Sequence, residues 1–197
     1  MHALTFVEAL AGDRSAWRAA VRVGAVLFVA ALTAAAAQIS VPLPFTAVPF
    51  TFQPMVVLLG GLALGSKLGP ASQAAYLLAG IAGLPVFAAS ATLPPGALRL
   101  FGPTGGYLMA YPLAAFLTGY LAERGFDRRY ATSVAAMMAG LALVYVFGGT
   151  WLAVSTGVAA SSAFAAGVAP FIAADLLKLL AAAGILPAFW KLLGRAG

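Results

Sequence analysis

Apolar runs and polar interruptions alternate along this chain on the length scale of membrane helices. A helix that crosses a bilayer needs roughly 20 apolar residues, within about 17–25. The first clear run covers residues 17–37. Segment 38–53 breaks the pattern: QISVPLPFTAVPFTFQ carries Pro42, Pro44 and Pro49 and no charge. Proline removes a backbone donor and clashes inside helices, so an ordered apolar loop is expected there. Within it, Pro44-Phe45-Thr46 echoes in Pro49-Phe50-Thr51. Two short runs follow, 52–64 and 70–83, parted by Gly65-Ser66-Lys67. A Pro/Gly-rich connection occupies 86–105. Longer runs at 106–122, 132–154 and 170–193 are separated by a charged turn at 123–129 and a small-residue stretch at 155–169. The pattern predicts an all-α, polytopic membrane protein with six transmembrane helices. Residues 1–15 read as a cytoplasmic lead-in and 16–197 as a single six-helix transmembrane domain.

Composition agrees. Of the 197 residues, 63% are hydrophobic and 8% charged, with a mean hydropathy of +1.01. Soluble domains are about 45–50% apolar and about 25% charged, so a soluble enzyme, a disordered tail and a nucleic-acid binder are all excluded. The net charge of +6 serves orientation instead. With the N-terminus inside, the inner segments hold Arg14, Arg18, Arg22, Lys67, Arg124, Arg128, Arg129, Lys191 and Arg195, nine of the eleven basic residues. Lys and Arg concentrate on the cytoplasmic side, which places both termini in the cytoplasm. The start carries Glu8, Asp13 and Arg14 in a mildly apolar stretch, unlike the positive start and apolar core of a signal peptide. Cysteine is absent and His2 is the only histidine, so neither thiolate chemistry nor a metal site is expected.

Three charges are left over: Arg99, in the outer connection, and Asp175 and Lys178, in AADLLKLL of the sixth run. Asp175 and Lys178 are three apart and share a helix face. At 1.5 Å per residue they lie roughly 7 and 12 Å below the outer end. Charges inside spans are costly and mark a function or a partner; the plainer alternative is a structural ion pair. Gln53, Gln73 and Tyr76 are further polar groups within spans. The run Gly102-Pro103-Thr104-Gly105-Gly106-Tyr107 opens the fourth, where glycine permits close backbone approach. It lacks the Lys-Ser/Thr of a phosphate loop. In the first run, Ala30/Ala34 and Ala31/Ala35 have the spacing that lets helices approach closely.

The stretches VPFTFQPMVVLLGGLALGSKLGPASQAAYLLAGIAGLPVFAAS, LFGPTGGYLMAYPLAAFLTGYLAERG and PFIAADLLKLLAAAG resemble the BioY family over about residues 40–190. The specific motifs are PxTxQ at Pro49-Thr51-Gln53, GLPVF at 83–87, GPTGGY at 102–107 and DLLK at 175–178. The resemblance implies the biotin-specific substrate-binding (S) component of an energy-coupling factor (ECF) transporter in the bacterial cytoplasmic membrane. It implies a six-helix S-component bundle with an outward vitamin pocket, no enzymatic activity and no cofactor. Its implied partners are biotin, a membrane coupling (T) subunit and cytoplasmic ATPase subunits, the alanine pairs docking on the coupling subunit.

The residue chemistry suits that ligand. Biotin offers a carboxylate, which needs a cation, two ureido N–H groups, which need an acceptor, and an apolar remainder, which needs aliphatic and aromatic walls. Asp175 is the expected acceptor, and Lys178 with Arg99 the expected carboxylate clamp. A second division of labour has Lys178 neutralising Asp175 while Arg99 alone takes the carboxylate. Gln53, Gln73, Tyr76, Gly105 and Tyr107 complete the expected site, with walls from Phe45, Phe50, Phe52, Tyr76, Phe87 and Tyr107. The rivals are an S component for another vitamin, an intramembrane enzyme and a non-transporting membrane protein. No span holds a histidine, HExxH is absent, and Lys178 has Asp175 rather than serine as its neighbour, which disfavours the enzyme. No Walker motif is present. Transport energy would come from partners, or the protein would work downhill alone.

Overall fold

A computed structural model describes residues 4–11, 15–90 and 93–194. Arg14 and Arg195, two of the charges used for orientation, lie outside these residues. The chain is mostly helical. The lead-in contains a short helix, α1 (Phe6–Ala11), whose Val7 and Ala11 are buried. Phe6 meets the Trp190 ring edge-on, and Arg128 Nη2 donates to the Leu4 carbonyl at 2.8 Å. This part of the expected lead-in therefore packs on the bundle.

The first apolar run forms α2 (Ser15–Gln38). The proline-rich segment is a loop closed by a two-residue antiparallel ladder, β1 (Ser40–Val41) with β2 (Phe50–Thr51), in the register Ser40↔Thr51 and Val41↔Phe50. The two short runs fall within α3 (Gln53–Ile81), which is interrupted at Gly65 (φ 84°, ψ 179°). Only glycine takes this backbone conformation without strain. The limbs on either side fold back on each other. Gln53 Nε2 donates to the Tyr76 hydroxyl at 2.6 Å, whereas a continuous helix would hold these residues about 34 Å apart at 1.5 Å per residue. The Glu123 carboxylate accepts from Ser66 N at 2.8 Å and Ser66 Oγ at 2.7 Å, satisfying donors at the start of the second limb.

Beyond the connection, with its single turn α4 (Leu98–Phe101), come α5 (Gly105–Ala122) and α6 (Tyr130–Thr156). The small-residue stretch forms a further helix, α7 (Ala160–Gly167). The last run is split by Gly184 into α8 (Ala169–Ala183) and α9 (Ile185–Leu192). Among the described residues four helical stretches are long and apolar enough to cross a membrane: Ala16–Gln38, Gln53–Ile81, Tyr130–Thr156 and Ala169–Leu192. The expected six spans thus meet a bundle in which two share α3 and a third, α5, has only 18 residues.

The α3 limbs and α5 pack backbone to backbone. A Cβ on Gly61 would collide with Thr118 Oγ1 and sit 2.6 Å from the Ala115 carbonyl oxygen. Tyr76, Leu58, Leu62 and Met137 fill the interior. The outer surface is apolar: Phe28, Val146 and Leu177 are each at least 64% exposed. A soluble monomer rarely presents such a continuous apolar surface, and a multi-pass membrane protein does so to lipid.

Candidate functional site

The loop 39–52, the connection 86–104 and helices α3, α5, α6 and α8 enclose a cavity of about 330 Å³. This lies at the small end of the roughly 300–1,000 Å³ typical of small-molecule sites. Leu43, Val48, Phe87, Leu108, Val144 and Phe171 supply much of the apolar wall.

Asp175 lines the cavity from α8, where its two carboxylate oxygens have separate supports. Tyr145, on α6, donates to Oδ2 at 2.7 Å, and the Lys178 ammonium pairs with Oδ1. Each oxygen keeps lone-pair capacity for a further donor. Lys178 does not reach the cavity wall. Its Nζ donates to the Thr51 carbonyl at 2.6 Å and lies 3.9 Å from the centre of the Phe50 ring. The i,i+3 spacing thus brings the two charges together, as expected, but they point to different places.

Arg99 reaches the cavity from α4. Its Nη2 donates to the Ala88 carbonyl at 2.7 Å, yet its Nε is buried with no partner among the described residues. Burial lowers its pKa, and the nearby Tyr76 opposes that shift. A buried cation with an unused donor is stabilised by an incoming anion. Among the described residues, Arg99 is the only basic one in the lining and Asp175 the only acidic one.

Gln53 and Tyr107 also line the cavity. Tyr76 stands behind Gln53 and holds its amide. Tyr107 donates to the Gly167 carbonyl at 2.7 Å, tying α5 to α7. Gly105 is not in the lining; a Cβ there would collide with the Leu100 carbonyl, and one on Gly106 would lie 2.7 Å from the Phe147 carbonyl oxygen. The glycines of GPTGGY therefore serve backbone packing and leave Pro103, Thr104 and Tyr107 on the wall. Gln73 lies away from the cavity, donating to Thr33 of α2 and to Ser72. Of the expected aromatic walls, Phe87 and Tyr107 line the cavity, Phe50 and Phe52 flank Lys178, and Phe45 is 62% exposed. Sequence reasoning did not single out Tyr145, Tyr111 or Phe171.

Fold and cavity together define a multi-pass helical membrane protein with a cavity of small-molecule size between its helices. The BioY family model matches residues 12–195, and the chain belongs to the BioY family. It is 44% identical over 152 residues to a probable biotin transporter BioY of Pyrococcus horikoshii, covering 77% of this chain and 85% of that one. It is 41% identical over 153 residues to the biotin transporter BioY of Thermotoga maritima, covering 78% and 86%. Its fold matches the crystal structure of an S-component for biotin from an ECF-type ABC transporter, with a TM-score of 0.81, 23% identity, and 91% of this chain and 95% of that one covered.

Proposed function

We propose that this protein binds biotin at the outer face of the bacterial cytoplasmic membrane as the S component of an ECF transporter, and carries out no chemical step on it. The observation that carries this reading is the cavity's carboxylate and under-partnered guanidinium, each the only one of its kind there among the described residues, set in apolar walls, in a chain of the BioY family. Asp175 accepts from the ureido N–H groups. Arg99 takes the valeryl carboxylate, Gln53 and Tyr107 border the bound ligand, and Tyr145 orients Asp175. The outward support of Lys178 favours the division of labour in which it neutralises Asp175.

The T and ATPase subunits are the proposed partners. Ala31 and Ala35 are exposed on α2, while Ala30 and Ala34 pack against the core. The docking face is therefore assigned to Ala31 and Ala35. One set of measurements tests function and docking. Purified protein should bind biotin in preference to other vitamins, and Arg99→Ala should weaken biotin but lose little further affinity for biotinamide, whose carboxylate is already neutral. Ala35→Trp should keep biotin binding and lose copurification with the coupling subunit. A parent protein indifferent to biotin would end the reading.

The six spans are proposed as α2, the two α3 limbs, α5, α6 and the α8–α9 pair, with both termini cytoplasmic. Charge supports this, since the inner segments hold nine basic residues. The chain has no native cysteine, so single introduced cysteines report sidedness directly. In intact cells an impermeant maleimide should label Pro94→Cys and Ser161→Cys and spare Lys67→Cys and Arg129→Cys. The opposite pattern would reverse the orientation.

A further inference from the structure

Lys178 is buried with Asp175, yet its ammonium is directed at the segment that covers the cavity. Its partner there is a main-chain carbonyl, Thr51 O, 127 residues away in sequence. Phe50 and Phe52 flank it, at 3.9 and 5.3 Å from ring centre to Nζ, and meet each other edge-on. Three consecutive residues around β2 therefore wrap one cation. Thr51 is also paired with Ser40 across the ladder. The intervening loop supplies Pro42, Leu43, Thr46, Val48 and Pro49 to the cavity wall. The same ammonium pairs with the Asp175 carboxylate, which faces the cavity.

We propose that Lys178 is a positioning residue that latches the covering segment 39–52 to the ligand-facing Asp175, and does not itself contact ligand. It acts in two directions. Towards α8 it holds the Asp175 carboxylate in place through their ion pair. Towards β2 it restrains a loop otherwise held by the packing of Leu43, Val48 and Phe50 on the core and by a two-residue ladder: such a ladder is weak on its own, whereas a charge-assisted bond with aromatic flanks, out of water, is a strong local restraint. Removing the latch lets the covering segment open without removing any group that touches the ligand. The inference rests on the proposed biotin site for its ligand, but the restraint on the segment exists without ligand.

The test uses the full-length protein with Val48→Cys, a buried position on the covering segment, and maleimide labelling without ligand. Lys178→Met should raise the labelling rate at least about fivefold, because local opening exposes the site. Removing lysine strands Asp175 in a buried place, so Lys178→Met could fail to fold. The double variant Asp175→Asn/Lys178→Met carries neither charge and should show the same rise. In the parent background, Lys178→Met should weaken biotin and biotinamide by equal factors of at least about ten, mainly through faster dissociation. Unchanged labelling in the double variant overturns the latch. So does an affinity loss seen with biotin but not biotinamide, since that makes Lys178 a carboxylate contact. Failure of the parent to bind biotin would sink the ligand reading and leave the labelling result to decide the latch.

Discussion

Asp175→Asn is expected to lower biotin affinity at least about tenfold, or 1.4 kcal/mol, and to destabilise the protein as well. The substitution keeps the shape of the side chain and removes the anion. On the ligand side, the ureido N–H groups lose a charge-assisted acceptor, a type of bond worth about 1.5–3 kcal/mol. On the protein side, the Tyr145 hydroxyl loses a carboxylate partner, and the Lys178 ammonium loses the only carboxylate it pairs with among the described residues. Breaking a buried pair by removing one partner costs about 3–5 kcal/mol; the remaining Thr51 carbonyl and aromatic rings offset part of that. Titration calorimetry and thermal unfolding in detergent measure the two effects separately. Removing both charges with Asp175→Asn/Lys178→Met should recover stability without recovering affinity. A single Asp175→Asn variant that binds biotin like the parent would show that the carboxylate is structural.

The second large effect concerns the helix packing beneath the site. Gly61→Val should destabilise the bundle by about 1–3 kcal/mol or more, the range for overpacked cores. Its new Cβ would meet Thr118 Oγ1 and the backbone of α5, with Ala115 Cα at 2.8 Å and the Ala115 carbonyl oxygen at 2.6 Å. Backbone cannot swing aside as a side chain can, so the first α3 limb and α5 must separate. Gln53 starts that limb and Tyr107 and Tyr111 belong to α5. Biotin binding should therefore fall together with the unfolding temperature. Gly24→Val is the control: nothing lies within 4 Å of a Cβ there, and the protein should keep both properties. Equal stability of Gly61→Val and the parent would show that the two helices do not touch at this point.

What could be read from sequence follows from contrast with the surroundings. Asp175, Lys178 and Arg99 stood out because a charge is rare in an apolar chain. Tyr145 did not, because LVYVF in α6 reads the same whether the tyrosine faces lipid or a carboxylate. The break at Gly65 was legible from GSK between two apolar runs, and Lys67 on the inner side already implied that the runs fold back; that the turn rests on a positive φ at Gly65 was not legible. Helix α7 was missed because its eight residues make a run far too short to register as a span. Lys178 was placed correctly on the face of Asp175. Its destination was not legible, because a long flexible stem reaches targets far from its own Cα, and the target is main chain.

The shortness of the first α3 limb has a consequence for the depth at which the ligand is held. Residues 53–64 measure about 18 Å at 1.5 Å per residue, against about 30 Å for the hydrocarbon core of a bilayer. With Gln53 at its outer end, as proposed, roughly 12 Å of membrane thickness above it is filled by something other than helix. In that orientation the filling would be the cavity and segment 39–52, which holds two short strands, three prolines and not one charged residue. Irregular backbone is tolerated at such depth where protein or a cavity surrounds it. The covering segment thus has the composition of a span without its conformation, and biotin, a polar acid, would be carried below the level of the lipid headgroups.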